Sequence, residues 1–167
     1  MRAPARHALV WLLLSAVVVA LDLWTKQLAL DHLRYAEPVA VIEGWLNWTL
    51  VYNHGAAFSF LQDADGWQRW LFSALAVGIS LALIVALKRT ERSDWRQAAP
   101  FALIIGGALG NLVDRLRFGY VIDFIDAYWG QRHWPAFNIA DSAIVVGAVM
   151  LAVWGVWKAP SSDNPTG

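Results

Sequence analysis

Four runs of this chain lack any ionisable residue: positions 9–21, 70–87, 97–113 and 142–157. Apolar residues grouped into long blocks are the mark of membrane helices. A spanning helix needs about 20 mostly apolar residues, with a range of about 17–25. The second and third runs meet this nearly unaided. The first meets it by continuing through Asp22 towards Leu30, and the fourth by starting near Asn138 and taking in Asp141. The sequence therefore predicts an all-α integral membrane protein, a single four-span domain over residues 1–167, with an acid inside or beside two of its spans.

Composition agrees. Hydrophobic residues make up 58% of the 167, charged residues only 16%, and there are eleven Trp. That is far fewer charges than the ~25% usual in soluble domains. Thirteen basic residues balance thirteen acidic ones, which argues against an electrostatic nucleic-acid binder. There is no Cys, which removes disulfides, thiolate catalysis and Cys-based metal sites.

Arg2 and Arg6 before the first run suit a cleavable signal peptide, but Leu23, Trp24, Leu28 and Leu30 continue the helical pattern, and a retained helix is the better reading. Lys88, Arg89, Arg92 and Arg96 lie between the second and third runs, Lys158 follows the last, and Arg2 and Arg6 precede the first. Cytoplasmic loops are rich in Lys and Arg, so both termini are expected on the cytoplasmic side. Segments 31–69 and 116–135 then lie outside, with Trp24, Trp67, Trp70, Trp129 and Trp134 in an outer aromatic belt. The tail at 159–167, with Pro, Ser, Asn and Gly and no apolar run, is expected to be disordered.

The outer segments read differently from each other. Residues 45–52 (WLNWTLVY) alternate and are rich in aromatic and β-branched types, the pattern of a strand. Val121, Ile122, Phe124, Ile125, Tyr128 and Trp129 recur at helical spacing, which predicts an amphipathic helix lying in the outer interface.

Direction has a consequence at residue level. Asp22 and Lys26 fall at the outer end of the first span, Asn111, Asp114 and Arg115 at the outer end of the third, and Asn138 and Asp141 at the outer start of the fourth. A charge in hydrocarbon costs a few kcal/mol, so such residues usually face a protein interior or a wet cavity. Their common depth predicts one polar site opening outwards. Plainer roles stand beside this. Asp22 and Lys26, four apart, fit a helix-surface ion pair, and Asp114 with Arg115 fits an interfacial cap and a snorkelling base. Gly106 and Gly110 fit tight helix packing. Asp126 fits the solvated face of the interfacial helix, and Asp141 a helix cap, although a cap alone requires neither Asn138 beside it nor a deep placement, which favours a role in the site.

Metalloprotease spacing such as HExxH, a GxSxG elbow and a phosphate loop are missing. A Ser–Lys dyad from Lys26 with Ser59 or Ser142 has nothing positive behind it. Paired carboxylates remain. Two Asp close together outside bulk water share a proton, and one can activate a water while the other protonates the carbonyl or leaving amine. Asp123 and Asp141 are the candidates, in competition with Asp22, Asp114 and Asp126. A transporter would keep polar groups near the midplane, where these spans have none. A purely structural membrane protein would tolerate loss of Asp123 and Asp141.

Five blocks in order carry a resemblance: DLWTK at 22–26, YNHGAAFS at 52–59, GGALGNLVDR at 106–115, VIDF at 121–124 and FNIADS at 137–142. In these the chain resembles the lipoprotein signal peptidases, or signal peptidase II, bacterial intramembrane aspartyl proteases. The resemblance implies an enzyme of the bacterial cytoplasmic (inner) membrane with an outer β-like cradle and an outer interfacial amphipathic helix, acting towards the periplasmic face. Its substrate would be a diacylated prolipoprotein, cleaved N-terminal to the lipidated Cys. Asp123 and Asp141 would be the catalytic dyad, with Asp22, Lys26, Asn53, Gly55, Asn111, Asp114, Arg115, Asn138 and Ala140 lining or bracing the site. It implies no metal or organic cofactor, sensitivity to globomycin-like cyclic peptides, and membrane lipid and the prolipoprotein signal peptide as the partners; a monomer and no nucleic-acid partner are expected beside it.

Overall fold

The computed structural model describes residues 7–55 and 66–157. The expected disordered tail, the start of the N-terminal basic segment, Lys158, and the Ala56-to-Ser59 end of the second motif lie outside the described residues. A short 3-10 turn, Ala8–Trp11, leads into helix α1, Leu12–His32. Strands β1 (Val39–Ile42) and β2 (Leu46–Asn53) follow, then helices α2 (Trp67–Arg89) and α3 (Trp95–Phe118). Strands β3 (Val121–Trp129) and β4 (Arg132–His133) precede the last helix, α4 (Ile139–Trp157). The protein is mostly helical. The segments of α1 with its leading turn, α2 and α3 are long and apolar enough to cross a membrane, and α4 is a shorter apolar helix.

Helix α3 is the centre, packed against α1, α2 and α4. Small residues permit this. A Cβ on Gly106 would meet Val18 Cβ at 2.7 Å and the Ser15 carbonyl at 2.9 Å. One on Gly107 would run into the Ala140 carbonyl oxygen, and one on Gly147 of α4 would lie 2.9 Å from the Pro100 carbonyl of α3. Ser15 Oγ donates to the Ala102 carbonyl at 2.7 Å, tying α1 to α3 directly. Where lipid replaces water, close backbone approach and such bonds hold helices together. The packing role expected for Gly106 and Gly110 is what the structure shows. Helix α3 ends at Gly119, whose left-handed backbone (φ 86°) and N–H to the Arg115 carbonyl close the helix, a glycine C-terminal stop.

At one end of the bundle the strands form one antiparallel sheet in the order β1-β2-β3-β4. Here the structure corrects two expectations. The protein is not all-α, and residues 121–129 are a strand rather than an interfacial helix. β3 pairs with β2, Val51 opposite Asp123 and Asn53 opposite Val121. Residues Val121 to Phe124 are buried on both faces, so the alternation that identifies a half-buried strand is absent. The β-branched and aromatic content was the better signal. The strand expected at 45–52 is β2.

Exposed aromatics gather at the sheet end: Trp24, Trp67, Trp70, Trp129 and Trp134 all present more than a third of their surface. Asp22, Lys26, Asn111, Asp114, Asn138 and Asp141 sit at that same end, because α1 and α3 finish there and α4 begins there.

Gly107 and Gly78 make a matched test. Gly107→Ala forces a methyl onto the backbone of α4, whereas a Cβ on Gly78 meets nothing within 4 Å. Overpacking of this kind costs about 1–3 kcal/mol, while Gly→Ala in a helix is worth up to about 1 kcal/mol in favour. Thermal unfolding in detergent is expected to show a lowered midpoint for Gly107→Ala and an unchanged or raised one for Gly78→Ala.

Candidate active site

Lys26 lies at the centre of the polar end, on the α3-facing side of α1, and is 2% exposed. Its ammonium meets Asp22 Oδ2 at 2.7 Å and Asp114 Oδ2 at 2.8 Å. It also donates to Asn111 Oδ1 at 3.0 Å. Two carboxylate oxygens and one amide oxygen thus surround the ammonium. Breaking a buried ion pair by removing one partner costs about 3–5 kcal/mol, and here one lysine serves two buried carboxylates.

Each partner of Lys26 reaches a further element. Asp22 Oδ1 accepts the Ala140 N–H of α4 at 2.9 Å. A Cβ on Gly110 would lie 2.6 Å from Asp22 Oδ2, so glycine there leaves room for the carboxylate. Asp114 Oδ2 accepts the Ile122 N–H of β3 at 3.1 Å. Asn111 turns its amide to Asp141, Nδ2 donating to Oδ1 at 2.7 Å. The i,i+4 pair of Asp22 and Lys26 exists as the spacing predicts, but it is buried. Asp114 is likewise an interior anchor rather than an interfacial cap.

Asn138 opens α4. Its Oδ1 accepts the Asp141 N–H at 2.9 Å, and Asp141 Oδ2 accepts the Asn138 N–H at 3.3 Å. This is a reciprocal capping arrangement. The cap occupies Asn138 Oδ1 and leaves its amide nitrogen facing inwards, where it donates to Asp123 Oδ1 at 2.8 Å, with the Ile122 carbonyl at 3.2 Å and Asn111 Oδ1 at 3.1 Å also in reach. Asn138 therefore touches Asp123 with its side chain and Asp141 with its backbone.

Asp123 comes from β3 and is 1% exposed. Its second oxygen accepts Asn53 Nδ2 from β2 at 3.0 Å. Asn53 Oδ1 in turn accepts the Gly55 N–H at 2.8 Å, a local Asx turn, and Gly55 takes the positive φ of 105° that favours glycine. Arg115 is half-buried, and its charge acts on Asp141, Asp123 and Asp114. Its guanidinium lies 5.2 Å from the ring centre of Phe72.

Burial is the main force raising the Asp123 carboxyl, and the neighbouring Asp141 charge adds to it; the Asn53 bond, the Lys26 charge and the Asn138 bond pull it back. The result is a carboxyl pushed up to about 7 from an ordinary 3.8. A carboxyl titrating near neutrality beside a second, half-buried carboxylate can hold or release a proton at working pH. Among the described residues no group of three or more His, Asp or Glu is placed to hold a metal ion.

The predicted site residues thus meet in one network: Asp22, Lys26, Asn53, Gly55, Asn111, Asp114, Asp123, Asn138, Ala140 and Asp141 by hydrogen bond or ion pair, and Arg115 by charge and by a bond from its guanidinium to the Asn111 carbonyl at 3.4 Å. Asp126 stands apart and corrects an expectation. It is buried rather than solvated, 8% exposed, accepting from Asn47 Nδ2 and paired with His133 Nδ1, both at 2.8 Å. Phe72 beside Arg115 was not foreseen, and nothing in its apolar run distinguishes it from its neighbours.

A family model described as signal peptidase (SPase) II matches residues 14–157. The chain belongs to the signal peptidase II family. It is 57% identical over 159 residues to a lipoprotein signal peptidase of Xanthomonas campestris pv. campestris strain 8004, covering 95% of each chain. Identity to the one from Xylella fastidiosa strain 9a5c is 53% over 158 residues, again 95% of each. A solved bacterial membrane enzyme, 27% identical, superposes with a TM-score of 0.79 over 99% of both chains. Membership places the protein among the membrane-embedded proteases that process lipoprotein signal peptides, in line with the resemblance carried by the five blocks.

The raised carboxyl makes a prediction with a definite sign. A folded-state value above the unfolded one adds stability that is fully present below the ordinary 3.8 and is lost as pH rises through about 7. Asp123→Asn removes this dependence. The difference in thermal midpoint, Asp123→Asn minus wild type, should therefore grow in favour of the variant between those two pH values and level off above them. A flat difference would contradict the assigned environment.

Proposed function

We propose that the protein is a signal peptidase II-type aspartic endopeptidase that removes the signal peptide from diacylated prolipoproteins, cleaving N-terminal to the lipidated Cys. Asp123 and Asp141 form its catalytic dyad. The observation that carries this reading is the double contact of Asn138, which joins a carboxyl on β3 to a carboxyl on α4.

In this reading α4 is the fourth span. Both termini lie in the cytoplasm of a bacterium, and the sheet end faces the periplasm across the cytoplasmic membrane. Lys88 and Arg89 at the end of α2, Arg92 between the helices and Arg96 at the start of α3 support the direction. The dyad then lies at the depth where a lipidated signal peptide presents its scissile bond to the outer leaflet, with a short path for water.

One water sits between the carboxyls. The ionised member takes its proton as the oxygen adds to the scissile carbonyl, while the protonated member donates to the carbonyl oxygen. The proton gained is then passed to the leaving amine as the C–N bond breaks, while the other member takes a proton back from a hydroxyl of the tetrahedral intermediate as the carbonyl reforms, which restores the pair. Lys26, Asp22, Asp114, Asn111, Asn138 and Ala140 hold the pair in register, Asn53 and Gly55 brace it from β2, and Arg115 steadies the developing charge. The enzyme acts as a monomer, and cyclic peptides of the globomycin type inhibit it by filling the site.

Purified protein is to be assayed on a diacylated prolipoprotein, comparing wild type with Asp123→Asn and Asp141→Asn at matched thermal midpoints. Loss of one acid–base partner is expected to lower turnover by about 100-fold or more. A normal rate for either variant would overturn the dyad.

A further inference from the structure

On the far side of β3 from Asp123 lies a groove that the site does not use. Its walls are the last two turns of α1 and the back of the sheet: Thr25, Leu28, Ala29, His32, Trp48 and Phe124 contribute to its lining. Its volume is about 410 Å³, within the ~300–1,000 Å³ typical of ligand-binding clefts.

We propose that this groove binds one acyl chain of a bilayer phospholipid. The proposal rests on the membrane placement given above, and not on the dyad.

Three observations select the occupant. The first is the lack of polar partners. Thr25 Oγ1 bonds within α1, to the Leu21 carbonyl at 2.8 Å, and His32 Nδ1 lies 3.0 Å from the Leu28 carbonyl. The remaining walls are apolar. A buried water needs two to four polar partners, so water fills this space poorly and a hydrocarbon fills it well. The second is continuity with the lipid-facing side of α1, where Leu21, Trp24 and Leu28 are 46%, 60% and 39% exposed. A chain already in the bilayer enters without crossing water.

The third observation separates membrane phospholipid from the acyl chains of a lipidated substrate. Successive side chains of a strand point to opposite faces. Phe124 lines the groove and packs with Ile122 and Ala29, whereas Asp123 turns the other way, to Asn53 and Asn138. A peptide held at Asp123 therefore lies across the strand from the groove. A resident phospholipid chain completes the packing behind Phe124 and backs the strand that carries Asp123.

The test is photolabelling of wild-type protein in nanodiscs of phosphatidylethanolamine and phosphatidylglycerol, doped with a phospholipid bearing a diazirine in its acyl chain. Adducts are mapped by mass spectrometry. They are expected to concentrate on residues 25–33, 48 and 124, about fivefold or more over residues 12–21. Leu28→Trp, which fills the groove, should remove that excess, and Leu21→Trp, on the same helix outside it, should not. Even labelling along α1, or an excess unchanged by Leu28→Trp, would overturn the proposal. So would displacement of the label by a non-cleavable diacylated peptide, which would assign the groove to substrate. If Leu28→Trp does not fold, the wild-type map and the displacement experiment decide. Cleavage is not read, so failure of the dyad leaves this result untouched.

Discussion

The ammonium of Lys26, held by two buried carboxylates and an amide, is the contact on which the rest of the polar end depends. A lysine at 2% exposure is tolerated only when its charge is met. Asp22 and Asp114 meet it, and each spends its other bonding capacity on a different element. Asp22 holds the first turn of α4 through the Ala140 N–H, and Asp114 holds the first turn of chain in β3 through the Ile122 N–H. One cation thus ties together the helix that carries Asp141 and the strand that carries Asp123.

Helix packing and this network reinforce each other. Gly110 is needed because Asp22 lies against it, and Gly107 because Ala140 does. The close approach of α1, α3 and α4 excludes water from the centre of the network, which strengthens its bonds and raises the cost of leaving any unmade. At the rim, Asp141 remains half-buried while Asp123 is enclosed. Two like groups thus have unlike surroundings, the arrangement from which acid and base roles are made. Delivering Asp123 from a strand has its own consequence. β3 satisfies its backbone against β2, so the site wall needs no helix at that depth, and the opposite face of the strand is left to pack against α1.

Much of this was legible in the residues. The runs without charge marked the helices, and the common depth of Asp22, Lys26, Asn111, Asp114, Asn138 and Asp141 foretold one site. Asn138 near Asp141 signalled more than a cap. The strand at 121–129 was not legible as such, because burial on both faces removes the alternation and leaves a spacing that mimics a helix; the partner β2 lies some 70 positions away. Asp126 failed for the same reason. Its burial depends on Asn47, 79 positions distant, and on His133 across a hairpin, and neither is visible from the local pattern. The choice of Asp123 over its competitors came from the family resemblance, and composition alone would have left it open.

The central claim is that residues 123 and 141 meet at one point. The chain has no cysteine, so Asp123→Cys and Asp141→Cys can be combined as the only two thiols in the protein. Intact-mass analysis after titration with mercuric ion is expected to show one mercury bridging both thiols, with neither left for alkylation. Two independent mercury adducts on folded protein, or a bridge no more frequent than in a control pairing Asp123→Cys with Gly78→Cys, would contradict the account.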